Sequence, residues 1–121
     1  MLVDSRTASA AEMVARVVQL EGRGTVIGDR TAGEVMVSEF RQLDVGFGRR
    51  WVYFAQITVG DVVMSDGNRL EKVGVTPDEL IIPTGEDLAA GRDPVMARAL
   101  ELAGIAMSPE DAGRICERRR R

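Results

Sequence analysis

The opening thirty or so residues constrain the fold of this chain more than any other part. Leu2-Val3 before Asp4 reads as the end of a short buried strand, and residues 5–8 as a turn. A helix follows over 9–21, where Met13, Val14, Val17, Val18 and Leu20 recur at helical spacing and Gly22 stops it. Thr25-Val26-Ile27 then forms a second short buried strand, ended by Gly28 and Asp29. Parallel neighbours cannot be joined by a tight turn, so strand, helix and strand in this order imply two parallel strands with a right-handed crossover.

The middle has a different pattern. Residues 35–45 and 50–59 are rich in β-branched and aromatic side chains, and Gly46-Phe47-Gly48 lies between them, which predicts a β-hairpin. In the second arm Trp51, Tyr53, Ala55, Ile57 and Val59 share one face; Val52, Phe54, Gln56 and Thr58 make the other only partly polar. That leaves room for cover on both faces. Val62-Val63-Met64 continues as a short strand into the Ser65-Asp66-Gly67-Asn68 turn. Two helices finish the chain. Asp93-Pro94 supplies an N-cap and a first-turn proline for 95–102, ended by Gly104, and Ser108-Pro109 starts a last helix over 109–118. No linker or repeat interrupts the sequence, so residues 1–117 read as one domain and Arg118 to Arg121 as a solvated basic tail.

The composition of the 121 residues, 45% hydrophobic and 29% charged, is that of a soluble globular domain. A net charge of −3 argues against nucleic acid as a partner. No run approaches the roughly 18 apolar residues of a membrane span. The acidic residue at position 4 comes too early for a signal peptide, so the expected location is cytoplasmic if these residues are the whole chain; location is otherwise open. The lone cysteine, Cys116, allows no intrachain disulfide and reads as structural. The sequence has no histidine, and Lys72 is its only lysine. A Ser-His-Asp triad and a zinc site built on imidazoles are therefore both excluded from this chain alone. No metal or cofactor is expected, and Gly22-Arg23-Gly24 is a helix stop rather than a phosphate-cradling loop.

Chemistry concentrates in Thr7-Ala8-Ser9-Ala10-Ala11-Glu12. Ser9 stands where the turn becomes helix, at the positive end of the helix dipole and beside unpaired amides. Two readings of it stay open. It is a nucleophile with the next amide as oxyanion donor, or it is the N-cap of a capping box closed by Glu12.

Four segments in order resemble the S41 peptidases, the C-terminal processing and tail-specific proteases with their tricorn-like relatives. Leu2-Val3-Asp4 with Thr7 to Glu12 resembles the nucleophile segment. Val26-Ile27-Gly28-Asp29-Arg30-Thr31-Ala32-Gly33 is similar to the family's V-G-x-x-T-x-G stretch. Glu71-Lys72-Val73-Gly74-Val75-Thr76-Pro77-Asp78 resembles its E-x-x-G-[IV]-x-P-D segment, and Asp87 to Pro94 its C-terminal helix entry.

The resemblance implies an α/β fold: a ClpP/crotonase-like spiral of β-α-β units, truncated at its N-terminus, with the hairpin and two C-terminal helices. It implies Ser9 as nucleophile, the Ala10 amide as one oxyanion donor, Glu34 and Glu71 as possible assisting carboxylates, and a peptide as substrate. The departures concern the general base. Processing proteases place a lysine where this chain has Glu34, and a carboxylate, ordinarily titrating near ~4.3, is no substitute for a neutral amine. Tricorn-like members use a histidine from an upstream half that these residues do not include. Lys72 reads as solvated. The expectation is thus a serine peptidase domain lacking its base or, alternatively, an inactive interaction module. Both come with a homo-oligomer, since missing N-terminal strands leave a sheet edge open.

Overall fold

In a computed structural model, described here for residues 1–46 and 51–117, the chain forms two small sheets and four helices. In chain order they are β1 (Leu2–Val3), α1 (Ala10–Leu20), β2 (Ile27–Gly28), β3 (Met36–Val45), β4 (Trp51–Asp61), β5 (Glu79–Leu80), α2 (Gly85–Ala90), α3 (Pro94–Leu102) and α4 (Pro109–Glu117). The β-α-β start is present: β1 pairs in parallel with β2, Leu2 opposite Ile27, and β2 pairs in parallel with β5, Ile27 opposite Glu79. The buried core gathers Val3, Ala15, Val26, Val35, Met64, Leu70 and Val75.

The hairpin forms as expected, with β3 and β4 antiparallel and a register irregularity at Val37/Ser38. Its Phe47-Gly48 turn, the 118–121 tail and the Cys116 side chain lie outside the described residues. Several expectations are corrected. The strand at 62–64 is reduced to one bridge, Val63 to Arg69. A third short helix, α2, precedes the two expected C-terminal ones. Thr84 caps it by accepting from the Asp87 N–H (3.1 Å), and Gly91 ends it at φ 67°. Asp93 caps α3 as read, accepting from the Met96 N–H at 2.8 Å.

The inward face of α1 also differs. Val14 and Val17 are exposed, and Glu12 and Ala15 are buried instead. The helix carries apolar residues around much of its circumference, so hydrophobicity alone does not fix its rotation. The amide donors of the 31–34 loop do so, by drawing Glu12 inward.

Candidate active site

Ser9 ends the turn after β1 and opens α1 with φ 57° and ψ −128°. Positive φ crowds the Cβ of an L-residue against its own backbone, so such strain persists only where the surroundings over-determine it. Two contacts do that here. The Ser9 N–H donates to the Glu34 carbonyl at 2.9 Å and to Glu12 Oε2 at 3.0 Å. The 31–34 segment runs alongside the turn, with the Ala32 N–H donating to the Thr7 carbonyl at 2.9 Å. The reciprocal contacts of the expected capping box are present, with the Ser9 N–H donating to Glu12 Oε2, and the Glu12 N–H also bonds to the Ser9 carbonyl at 3.0 Å. The Ala10 N–H, at the first helical position, takes no partner among the described residues. The Ser9 side chain therefore sits beside an open helix-start amide.

Glu12 is the residue whose role the sequence did not reveal. It is wholly buried, and its carboxylate accepts four hydrogen bonds. The Thr31 hydroxyl (2.5 Å) and Gly33 N–H (2.8 Å) donate to Oε1; the Glu34 N–H (2.9 Å) and Ser9 N–H (3.0 Å) donate to Oε2. A buried carboxylate persists only when its lone pairs are satisfied, and here they are. The Thr31 oxygen in turn accepts from the Val75 N–H at 2.6 Å. This second link needs very close backbone approach. A Cβ on Gly74, at φ 69°, would lie 2.5 Å from the Thr31 carbonyl oxygen. One carboxylate thus joins the start of α1 to the T-x-G loop, and Thr31 joins that loop to the 71–75 segment.

Ser9, Glu34 and Glu71 converge on one open cleft of about 290 Å³, with Ala8, Met36, Ser38 and Gln56. Glu71 is half-buried and accepts from the Val35 N–H at 2.8 Å; Glu34 is exposed. Lys72 is exposed at φ 60°, its N–H bonded to the Gly33 carbonyl (2.7 Å), and it does not line the cleft. Among the described residues the lining therefore carries two carboxylates and no cationic side chain. A larger depression of about 780 Å³ lies beside β1, β2 and the C-terminal helices, but Ser9 does not line it. Its Asp4 is engaged by the turn before Ser9: the Thr7 hydroxyl, donating at 2.9 Å, holds that carboxyl below its ordinary 3.8. Ser38 and Gln56 are further cleft residues that sequence reasoning missed. They arrive from β3 and β4, and no local signal marks them.

The family model for peptidase family S41 matches residues 1–81. Carboxyl-terminal-processing proteases of Synechocystis sp. and Picosynechococcus sp. are each 30% identical over 81 residues, which is 67% of this chain and 18% of theirs. The chain thus spans less than a fifth of those relatives' length. Among solved structures, a candidate peptidase of Parabacteroides merdae matches with TM-score 0.62 and 28% identity, covering 84% of this chain and 30% of that one. Tricorn protease shares the fold, with TM-score 0.70 and 22% identity over 84% of this chain and 10% of its own. Mature CPAF, solved with lactacystin, matches with TM-score 0.56 and 25% identity over 71% of this chain and 16% of its own.

Proposed function

The chain belongs to peptidase family S41, and on that premise we propose that it is a serine-type peptidase domain acting through Ser9. The observation that carries this reading is Ser9 itself, held at φ 57° on the lip of the cleft with the open Ala10 amide beside it. In the proposed reaction Ser9 Oγ attacks the peptide carbonyl carbon and loses its proton to a base. The Ala10 N–H donates to the oxyanion. The C–N bond then breaks, the leaving amine takes up the proton, and water hydrolyses the acyl-serine. An extended peptide would lie along the face of the hairpin that carries Ser38 and Gln56, where exposed Phe40 and Phe54 add apolar surface.

In this reading Glu34 and Glu71, which line the cleft with Ser9, orient the hydroxyl or stabilise positive charge on the base. The base itself comes from another chain or from further sequence of a larger protein. A second reading keeps the fold as a non-catalytic interaction module, and the cleft's lack of any amine or imidazole favours it. Incubation with an unstructured peptide mixture, read by mass spectrometry, separates the two. Slow cleavage that vanishes in Ser9→Ala supports the peptidase; no Ser9-dependent cleavage supports the module.

A further inference from the structure

The β3–β4 ribbon stands outside the core: none of the buried core residues comes from either strand. A two-stranded ribbon alone is marginal in water and needs a packed face to be stable. Directly opposed residues of an antiparallel pair share a face, so the register sorts the side chains. One face carries Ser38, Gln42, Asp44, Gln56 and Thr58 among its apolar residues and contributes Ser38 and Gln56 to the Ser9 cleft. Among the described residues the other face carries Leu43, Val45, Trp51, Tyr53, Ala55 and Ile57, interrupted by Glu39 and Arg41. On it Leu43, Val45, Tyr53 and Ile57 are each about half exposed, at 51%, 58%, 55% and 48%.

We infer that this apolar face binds the same face of a second copy of the chain, about a two-fold axis. Two features select a copy as the occupant. The first is charge. Glu39 and Arg41 are neighbours on the face, 2.6 Å apart, so its described residues are together neutral and self-complementary. Two-fold pairing sets each Glu39 against the partner's Arg41 without opposing like charges. The second is area. Half-exposed apolar side chains in this number offer on the order of 500 Å² per copy, so two faces reach the roughly 1,000 Å² a specific interface needs. The contact is therefore small and reversible, and it leaves the Ser38–Gln56 face open towards Ser9.

Sedimentation velocity across a concentration series tests the pairing. The 13.2 kDa chain should shift to twice that mass as concentration rises. Fluorescence of Trp51, the single tryptophan, should move to the blue over the same range. Tyr53→Glu and Leu43→Glu should each weaken association at least tenfold while leaving the far-ultraviolet spectrum of the core intact. Glu39→Arg should weaken it, and Glu39→Arg with Arg41→Glu should restore it, which a merely sticky patch would not do. A chain that stays monomeric, or a dimer that Tyr53→Glu and Leu43→Glu both leave intact, overturns the inference. So does a double charge swap that fails to restore association lost in the single swap.

Discussion

Glu12 meets donors from three places in the sequence: the turn before α1, Thr31, and the amides of Gly33 and Glu34. Replacing it with glutamine keeps the volume but turns an NH₂ group towards N–H donors, leaving at least one buried donor unpaired. Hydrogen bonds to charged groups are worth about 1.5–3 kcal/mol each, so Glu12→Gln should destabilise the fold by about 2–3 kcal/mol. Urea denaturation reads that loss, and labelling of Ser9 should slow in parallel because the same carboxylate holds the serine at positive φ. Glu34 supports a second prediction. Glu34→Lys places an amine in the Ser9 cleft, and general-base catalysis contributes about a hundredfold at its low end. Reaction of Ser9 with a fluorophosphonate should accelerate by about that factor, and the gain should grow as pH rises towards the lysine's ordinary ~10.4, where the neutral amine predominates. Stopped-time mass spectrometry across pH measures it. The place of Ser9 at the start of α1 was legible because strand end, turn and helix start lie within a few residues. Glu12 looked like half of a local capping box, since its other donors lie 19 to 22 positions on and meet it only through tertiary folding.

At the scale of elements, short caps do much of the positioning. Asp87 in the first turn of α2 accepts from the Thr84 hydroxyl (2.6 Å), the Thr84 N–H (2.9 Å) and Arg92 Nε (2.7 Å). The Thr84 hydroxyl first, then its amide and Arg92, hold the Asp87 carboxyl at about 2 against an ordinary 3.8. Asp66 is also held at about 2, first by Arg16 and then by Asn68. A carboxyl with a depressed folded-state pKa stabilises the fold above its unfolded value, and that contribution is lost as pH falls through the folded value. The melting temperature should therefore drop from about pH 4 to about pH 2, and Asp87→Asn with Asp66→Asn should flatten that drop. Scanning calorimetry over pH checks it. Helices α3 and α4 were legible from Asp93-Pro94 and Ser108-Pro109. Helix α2 was missed because six residues carry too little periodicity, and its Thr84–Asp87 box was hidden in a stretch read as an entry to the next helix. The strand at 62–64 was over-read because β-branched residues favour a strand only where a partner strand is at hand.

At the scale of the whole molecule, the parts divide the labour unequally. The parallel sheet, α1 and the two loops joined through Glu12 and Thr31 form a hydrogen-bonded seat for Ser9. The ribbon adds one wall of the cleft. The order of the motifs was enough to place this architecture, because each motif marks a strand end or loop that must meet the others. The sequence was silent on how far the ribbon stands from the core, since its alternation fits a covered sheet and an exposed one equally. Among the described residues no amine or imidazole lines the Ser9 cleft, and the chain spans 18% of the curated relatives it matches. On the proposed reading, this fold prepares Ser9 as a nucleophile. Intact-mass measurement after treatment with a fluorophosphonate tests it most directly, with Ser9→Ala alongside. One adduct per chain, absent in Ser9→Ala, is the expected result; an unmodified chain, or an adduct that persists in Ser9→Ala, would mean that Ser9 is not activated.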